Sequence, residues 1–310
     1  MKVIRPIQIT DAKLTSSSIP EDDYPEWDSG TTYDRGDYVI VLASHTVYRS
    51  LTDSNLNNDP DLEIVALADP FIDDPDPVNW QIIGATNRYR MFDGKPSVQA
   101  TDTTEIVVTL EPEGFEAIFT GLAMLNVQAG TVNVKVGDGS EYDETFLMQD
   151  NSVVVDAWTY FFTEIEQLRN VVITDLPPLG EPVTVTVSGG SLKVGQLVIG
   201  PVRQFGFVEI GNTGFSGLDF SSVQNDQFGN LTTVQRAATN LHRFDVILNS
   251  NQLLGFDSWM RGMRGGQSAV WVGDDDRTKN ATAYGFYRNY QSIYQTGEES
   301  LISIEIQGVV

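Results

Sequence analysis

Chemistry at neutral pH needs bases, nucleophiles or metal ligands within reach of one another, and this chain of 310 residues offers few. It has no cysteine and only two histidines, His45 and His242, far apart in the chain. Thiolate nucleophiles, disulfides and cysteine-ligated metals are therefore excluded. Neither histidine has a triad or metal spacing beside it, and no Gly-x-Ser-x-Gly, phosphate loop or zinc signature is visible. His45 falls at an expected hairpin reversal and should be solvated. His242 precedes a strand and should be structural.

Carboxylates are the exception, with Asp22–Asp23, Asp73–Asp74–Pro75–Asp76 and Asp274–Asp275–Asp276 as local clusters. A glycosidase needs two carboxyls about 5–10 Å apart around a cleft. Among 43 acidic residues some pairs meet that spacing by chance, so they do not mark an enzyme, and none is expected. Asp274, Asp275 and Asp276 follow a strand-like "VWVG" and supply the clustered oxygens that calcium prefers. A charged strand-end turn is the favoured reading, because Asp suits turns and guards a strand edge against wrong pairing. No cofactor is expected.

The remaining candidates bind rather than react. Trp27, Tyr33, Tyr48 and Trp80 are spaced through one short segment and could stack flat rings on sugars if exposed and coplanar. A domain of about 60 residues also has little else to bury, so core packing competes for the same rings. In "YGFYRNYQSIY", strand alternation puts Tyr284, Phe286, Tyr290 and Tyr294 on one face and leaves Tyr287 on the other, with Arg288 beside it. Tyr and Arg are preferred at interfaces, so Tyr287 and Arg288 are candidate contact residues.

The elements that must carry these residues are mostly strands. Residues 1–20 read as a short strand and a linker, an N-terminal arm. Residues 21–84 read as a small three-stranded module: "DYVIVL" and "HTVYRSL" reverse at Ala43–Ser44, and a polar loop over 52–79 closes at Trp80. Residues 85–203 read as an antiparallel β-sandwich. Its runs "EIVVTL", "TVNVKVGDGSEYDETFLM", "NVVITDL" and "PVTVTVSGGSLKVGQLVIG" alternate, with glycine turns at Gly-Asp-Gly and Gly189–Gly190. "VVVDAWTYFF" reads as a strand run, and "WTYFFTEIEQL" (158–168), which could also pass for a short helix, is kept as strand or loop. Residues 204–310 read as a β domain with a turn at Phe228–Gly229–Asn230 and one packed helix. In that helix Leu253, Phe256, Met260 and Met263 share a face beside Trp259, Ser250 or Asn251 caps the start, and Gly265–Gly266 ends it. Ile302, Ile304 and Ile306 share a face of the last strand. The fold class expected is thus mainly β.

Charge restricts the partners. Lys+Arg is 19 and Asp+Glu 43, a formal net charge of −24. Such a surface repels phosphate backbones and anionic membranes, so nucleic acid is not expected as a partner. No apolar run approaches the ~20 residues of a membrane span, and "MKVIRPIQITDAK" has no secretory character.

Two resemblances add to this. Trp27…Tyr33-x-x-Gly36…Val39…Tyr48…Trp80 resembles the three-stranded carbohydrate-binding modules appended to chitinases. Exposed aromatics commonly follow the second strand there, whereas "YRSLTDSNLNND" has none after Tyr48. The order of "MKVIRPIQITDAKLTSSSIPEDD", the module, "NRYRMFDG", a β-rich middle, "TDLPP", "DQFGNLTTVQR", "VWVGDDD" and "YGFYRNY" is similar to tail and baseplate proteins of long-tailed phages. That resemblance implies a virion structural protein, made in the host cytoplasm and built into the tail tip or baseplate. Its partners would be other tail proteins and copies of itself. The alternative it leaves open is an adhesin that holds a host-surface glycan through the module.

Overall fold

The alternating runs fold as antiparallel strands, and the protein is mainly β. The computed structural model describes the chain apart from residues 68–76, 114–117, 151–154, 163–165, 226–230, 274–280, 296–297 and 310. The acidic run at 73–76, the calcium candidates Asp274, Asp275 and Asp276, and the Phe228–Gly229–Asn230 turn lie outside the described residues.

Three sheets and a helix stack as layers. A five-stranded sheet takes the order Tyr142–Leu147, Thr131–Val136, Val183–Ser188, Glu105–Leu110, Leu14–Ser17. It faces a four-stranded sheet ordered Val171–Ile173, Gly121–Gln128, Leu192–Gly200, Ala100–Asp102. Between them lies the largest core, with Ile106, Val108, Val132, Val134, Val185, Leu122, Met124 and Leu197 all buried. The period-2 pattern explains this directly: Val183, Val185 and Val187 point inward while Thr184, Thr186 and Ser188 alternate outward. The Gly-Asp-Gly and Gly-Gly hairpins form as expected, with Gly137, Gly139, Gly189 and Gly190 all at positive φ.

The other face of the four-stranded sheet meets an eight-stranded sheet. Its path runs Val202–Gln204, Lys2–Ile4, Ala269–Val272, Thr282–Tyr294, Glu299–Gly308, Ala238–Asn249, Phe207–Val208, and Gly214–Asp219 also pairs with Ala238–Asn249. The seam between the two sheets is thin: Ile4, Ala123, Val198, Val270 and Val272. At its edge a Cβ on Gly200 would collide with the Arg5 carbonyl oxygen, so only glycine admits the crossing chain.

The last layer is a helix on the outer face of the eight-stranded sheet. With helices numbered in chain order, α1 is Pro60–Leu67, α2 Ala157–Phe162 and α3 Leu253–Gly262. Phe256, Met260 and Met263 of α3 and its end bury against Phe244, Val246, Trp271, Ile302, Ile304 and Ile306, as the spacing predicts. Each such fully buried side chain contributes about 1.5–3 kcal/mol, which a cysteine-free chain must rely on.

Four expectations are corrected. Residues 1–20 hold two strands, and both are built into sheets: Lys2–Ile4 sits between Val202–Gln204 and Ala269–Val272, and Leu14–Ser17 pairs with Glu105–Leu110. The polar 52–79 segment contains α1 and the short strand Asn55–Leu56. "AWTYFF" is helical as α2. The turn leading into α3 is capped by Asn249, whose side chain accepts from the Asn251 backbone N–H, instead of by Ser250 or Asn251.

Candidate functional site

The segment 21–84 forms the three-stranded sheet Tyr38–Val41, Thr46–Ser50, Trp80–Ala85, flanked by the pair Thr32–Tyr33 and Asn55–Leu56. Tyr33, Val39, Tyr48 and Trp80 make its core, and Trp27 packs against them half-buried. Trp80 is 0% exposed and Tyr48 2%. Their polar tips are also engaged. The Trp80 indole donates to the Asn58 carbonyl at 2.8 Å, and the Tyr48 hydroxyl donates to Asp61 Oδ1 at 2.7 Å. The Tyr33 hydroxyl accepts from the Asp28 N–H at 2.8 Å. Burial first, then the Asp61 carboxylate, pushes the Tyr48 phenol up to about 12. Of the candidate sugar-stacking residues Trp27, Tyr33, Tyr48 and Trp80, the last three are therefore buried core and do not form an exposed platform, while Trp27 stays half-buried at their side. Tyr33 and Trp80 meet edge to face, with centroids 5.4 Å apart, because so small a sheet has no other bulk to close over.

His45 is not solvated as expected. The hairpin reversal holds it at φ 52, and its Nε2 lies 3.0 Å from Asp11 Oδ1 and its Nδ1 2.9 Å from Glu21 Oε1. Both nitrogens donate only in the protonated ring. The imidazole stacks on Tyr89, whose hydroxyl reaches Asp11. Glu21 also accepts from Thr86 Oγ1 at 2.7 Å and faces Arg88 at 3.7 Å. The Tyr89 hydroxyl, with smaller help from His45, holds the Asp11 carboxyl below the usual range. This is a clasp fastening the module to the sandwich. Asp23, one of the paired carboxylates, likewise braces a loop by accepting the Asn87 N–H at 2.6 Å.

Beside the clasp run two adjoining clefts of about 560 and 510 Å³, sharing Gln8, Ile9, Phe92 and Asp93. Burial pushes the Asp93 carboxyl up, and burial pushes the Tyr284 phenol up to about 12. Among the described residues no group of His, Cys, Asp and Glu could hold a metal ion.

The C-terminal candidates separate. A bulge between Tyr287 and Asn289 adds one residue to the strand, so Tyr287 and Tyr290 turn to the same face, opposite Ile306 and Ile304. The expected partition, with Tyr287 alone on the far face, is thereby overturned. Tyr287 donates to the Met260 carbonyl at 3.0 Å, and Tyr290 bonds Asp257, which also pairs with Arg261 at 2.8 Å. Tyr287 clamps α3 to the sheet, and Arg288 stands exposed at the bulge.

What is exposed lies elsewhere. On α2, Trp158 is 70% and Phe162 69% exposed, in tilted ring contact one turn apart with centroids at 4.2 Å. Asp156 and Thr159 cap this helix reciprocally: Thr159 N–H donates to Asp156 Oδ1 at 2.8 Å, and the Asp156 N–H donates to Thr159 Oγ1 at 3.0 Å. The signal was in the sequence, as Asp156-x-x-Thr159 with aromatics spaced i, i+4, but the preceding Val run reads as strand.

Compared with known proteins, the chain matches no family, no curated protein and no solved structure. Among the described residues, no helix is long and apolar enough to cross a membrane.

Proposed function

We propose that this chain is a non-catalytic structural component of a phage tail tip or baseplate, holding neighbouring tail proteins in a symmetric assembly. The observation that carries the reading is the Trp158–Phe162 pair on α2. A capped helix that keeps an aromatic pair in water forgoes the burial each ring would gain, and exposed rings of this kind mark protein contacts. Asp150, Asp156 and Glu166 flank it along the chain, so its counterpart is an apolar pocket with a basic rim, and an anionic bilayer is disfavoured. The order of motifs along the chain supports the phage assignment.

Burial of Tyr33, Tyr48 and Trp80 weighs against the glycan-adhesin alternative, leaving Trp27 half-buried beside them. The test is particle composition. Purified tails should contain the chain in fixed stoichiometry, and W158A/F162A should fail to incorporate. Absence from particles, or turnover of cell-wall polysaccharide by the purified protein, would end the proposal.

A further inference from the structure

We propose that the ribbon formed by Gly214–Asp219, Ser222–Asn225 and Leu231–Val234 is a self-association element whose occupant is the same ribbon of a second copy of this chain. This rests on the reading above in one respect, that the assembly holds several copies.

The ribbon extends the eight-stranded sheet. Gly214–Asp219 pairs with the first half of Ala238–Asn249, the Phe220 N–H continues the ladder to the Ala237 carbonyl at 3.2 Å, and Ser222–Asn225 then pairs with Leu231–Val234. Among the described residues, the last two strands pair only with each other. A two-stranded ribbon is marginal in water on its own. This one also keeps apolar side chains exposed: Phe215 74%, Val223 59% and Leu231 67%. The register Val223↔Thr233 and Asn225↔Leu231 puts Val223 and Leu231 on one face.

Two further observations select the occupant. Gly214 and Gly217 lie within a strand at ordinary φ, and a Cβ on either would meet nothing within 4 Å. Among the described residues no contact requires glycine there, and with no bulge between these strands the use left for it is close approach by another backbone. The edge also lacks the usual guards, since residues 214–225 contain no Lys, Arg or Pro. Charge then chooses between a second copy and a different partner. Two chains of −24 repel each other over most of their surfaces, but residues 214–237 carry only Asp219, Asp226 and Arg236. A nearly neutral strip is where two like-charged copies meet at least cost, whereas a basic partner would gain more from the acidic faces.

The test uses the full chain. Sedimentation velocity over a concentration series should show mass rising with concentration, more so in added salt, which screens the repulsion. Amide exchange at 222–225 and 231–234 should slow at least about tenfold as copies associate. L231D should abolish both effects with the melting temperature retained. V223C, the sole thiol in a cysteine-free chain, should oxidise to a dimer, and D138C on a distant hairpin should not. A monomer at every concentration, L231D associating like the parent, equal cross-linking of both cysteines, or capture of a different protein by the ribbon would overturn the proposal. None of these readouts needs a phage particle, so failure here is distinct from absence of the chain from tails.

Discussion

The His45 imidazole lies flat on the Tyr89 ring, with centroids 3.6 Å apart and planes 12° from parallel. Through that stack, residues from the N-terminal segment, the module and the sandwich meet at one point, with Asp11 and Glu21 at the two ring nitrogens.

Replacing His45 with alanine should loosen the module without unfolding the sandwich. The contact with the Glu21 carboxylate and the stack on Tyr89 are lost and Glu21 keeps only Thr86 and Arg88, so a cost of about 1.5–3 kcal/mol is expected. Hydrogen exchange should report it as faster opening across the strands Tyr38–Val41 and Thr46–Ser50, with Glu105–Leu110 unchanged. Uniform loss of protection across all three would refute the clasp.

Tyr89→Phe should raise the Asp11 pKa, since the phenol hydroxyl is the foremost group holding it down. A carboxyl depressed in the fold adds stability above its unfolded pKa, near 3.8, and loses it as pH falls through the folded value. The parent protein should therefore resist acid further below about pH 4 than Y89F does. Carboxyl titration by NMR checks the shift itself.

The buried Tyr48 phenol makes an alkaline prediction. Its pKa is raised to about 12 against 10 for a free tyrosine. A group raised in the fold contributes stability that is full below about pH 10 and is lost as pH rises to about 12. Absorbance at alkaline pH should show Tyr48 ionising late together with Tyr284, and Tyr48→Phe should reduce the amplitude of that late transition by one phenol at a stability cost of about 1 kcal/mol. Ionisation near the free-tyrosine value would contradict the burial.

His242 stands half-buried beside Phe215, and burial alone lowers its pKa below 6.5. The neutral ring is the native one, so stability falls as pH drops from about 6.5 through the lower folded value. With only two histidines in the chain, ring proton shifts resolve this titration directly. A midpoint at or above the ordinary histidine value would refute it.

On α2, Trp158→Ala and Phe162→Ala should each change stability by no more than about 0.5 kcal/mol, because exposed side chains hold little of the fold. Each should still weaken partner capture at least about tenfold, the scale of a hot-spot aromatic. Thermal melting and binding to purified tail components separate the two effects. Equal losses in both would make α2 part of the fold instead of a contact.

Much of the architecture follows from local pattern. Val183, Val185 and Val187 alternate with polar residues, and a strand with one buried face results wherever that pattern is placed. Gly137, Gly139, Gly189 and Gly190 supply positive φ, and Leu253, Phe256, Met260 and Met263 share one face by helical period alone. These readings need only near neighbours in the chain, so sequence alone determined the strands, the hairpins, α3 and the mainly β class.

Other features depend on residues distant in the chain, and local pattern is silent there. Lys2–Ile4 becomes an interior strand because Ala269–Val272 and Val202–Gln204 both offer an edge. One inserted residue at Arg288 turns Tyr290 onto the core face beside Tyr287, a register event that alternation cannot foresee. Whether Trp80 and Tyr48 meet sugar or one another depended on the start of α1 and the turn before it, which bring Asn58 and Asp61 over their polar tips. His45 became a clasp only when Asp11, Glu21 and Tyr89 converged on it. Sequence set which side chains prefer to leave water; only the tertiary structure decided which partners they left it with, because burial is a property of surfaces brought together and not of the residues that carry them.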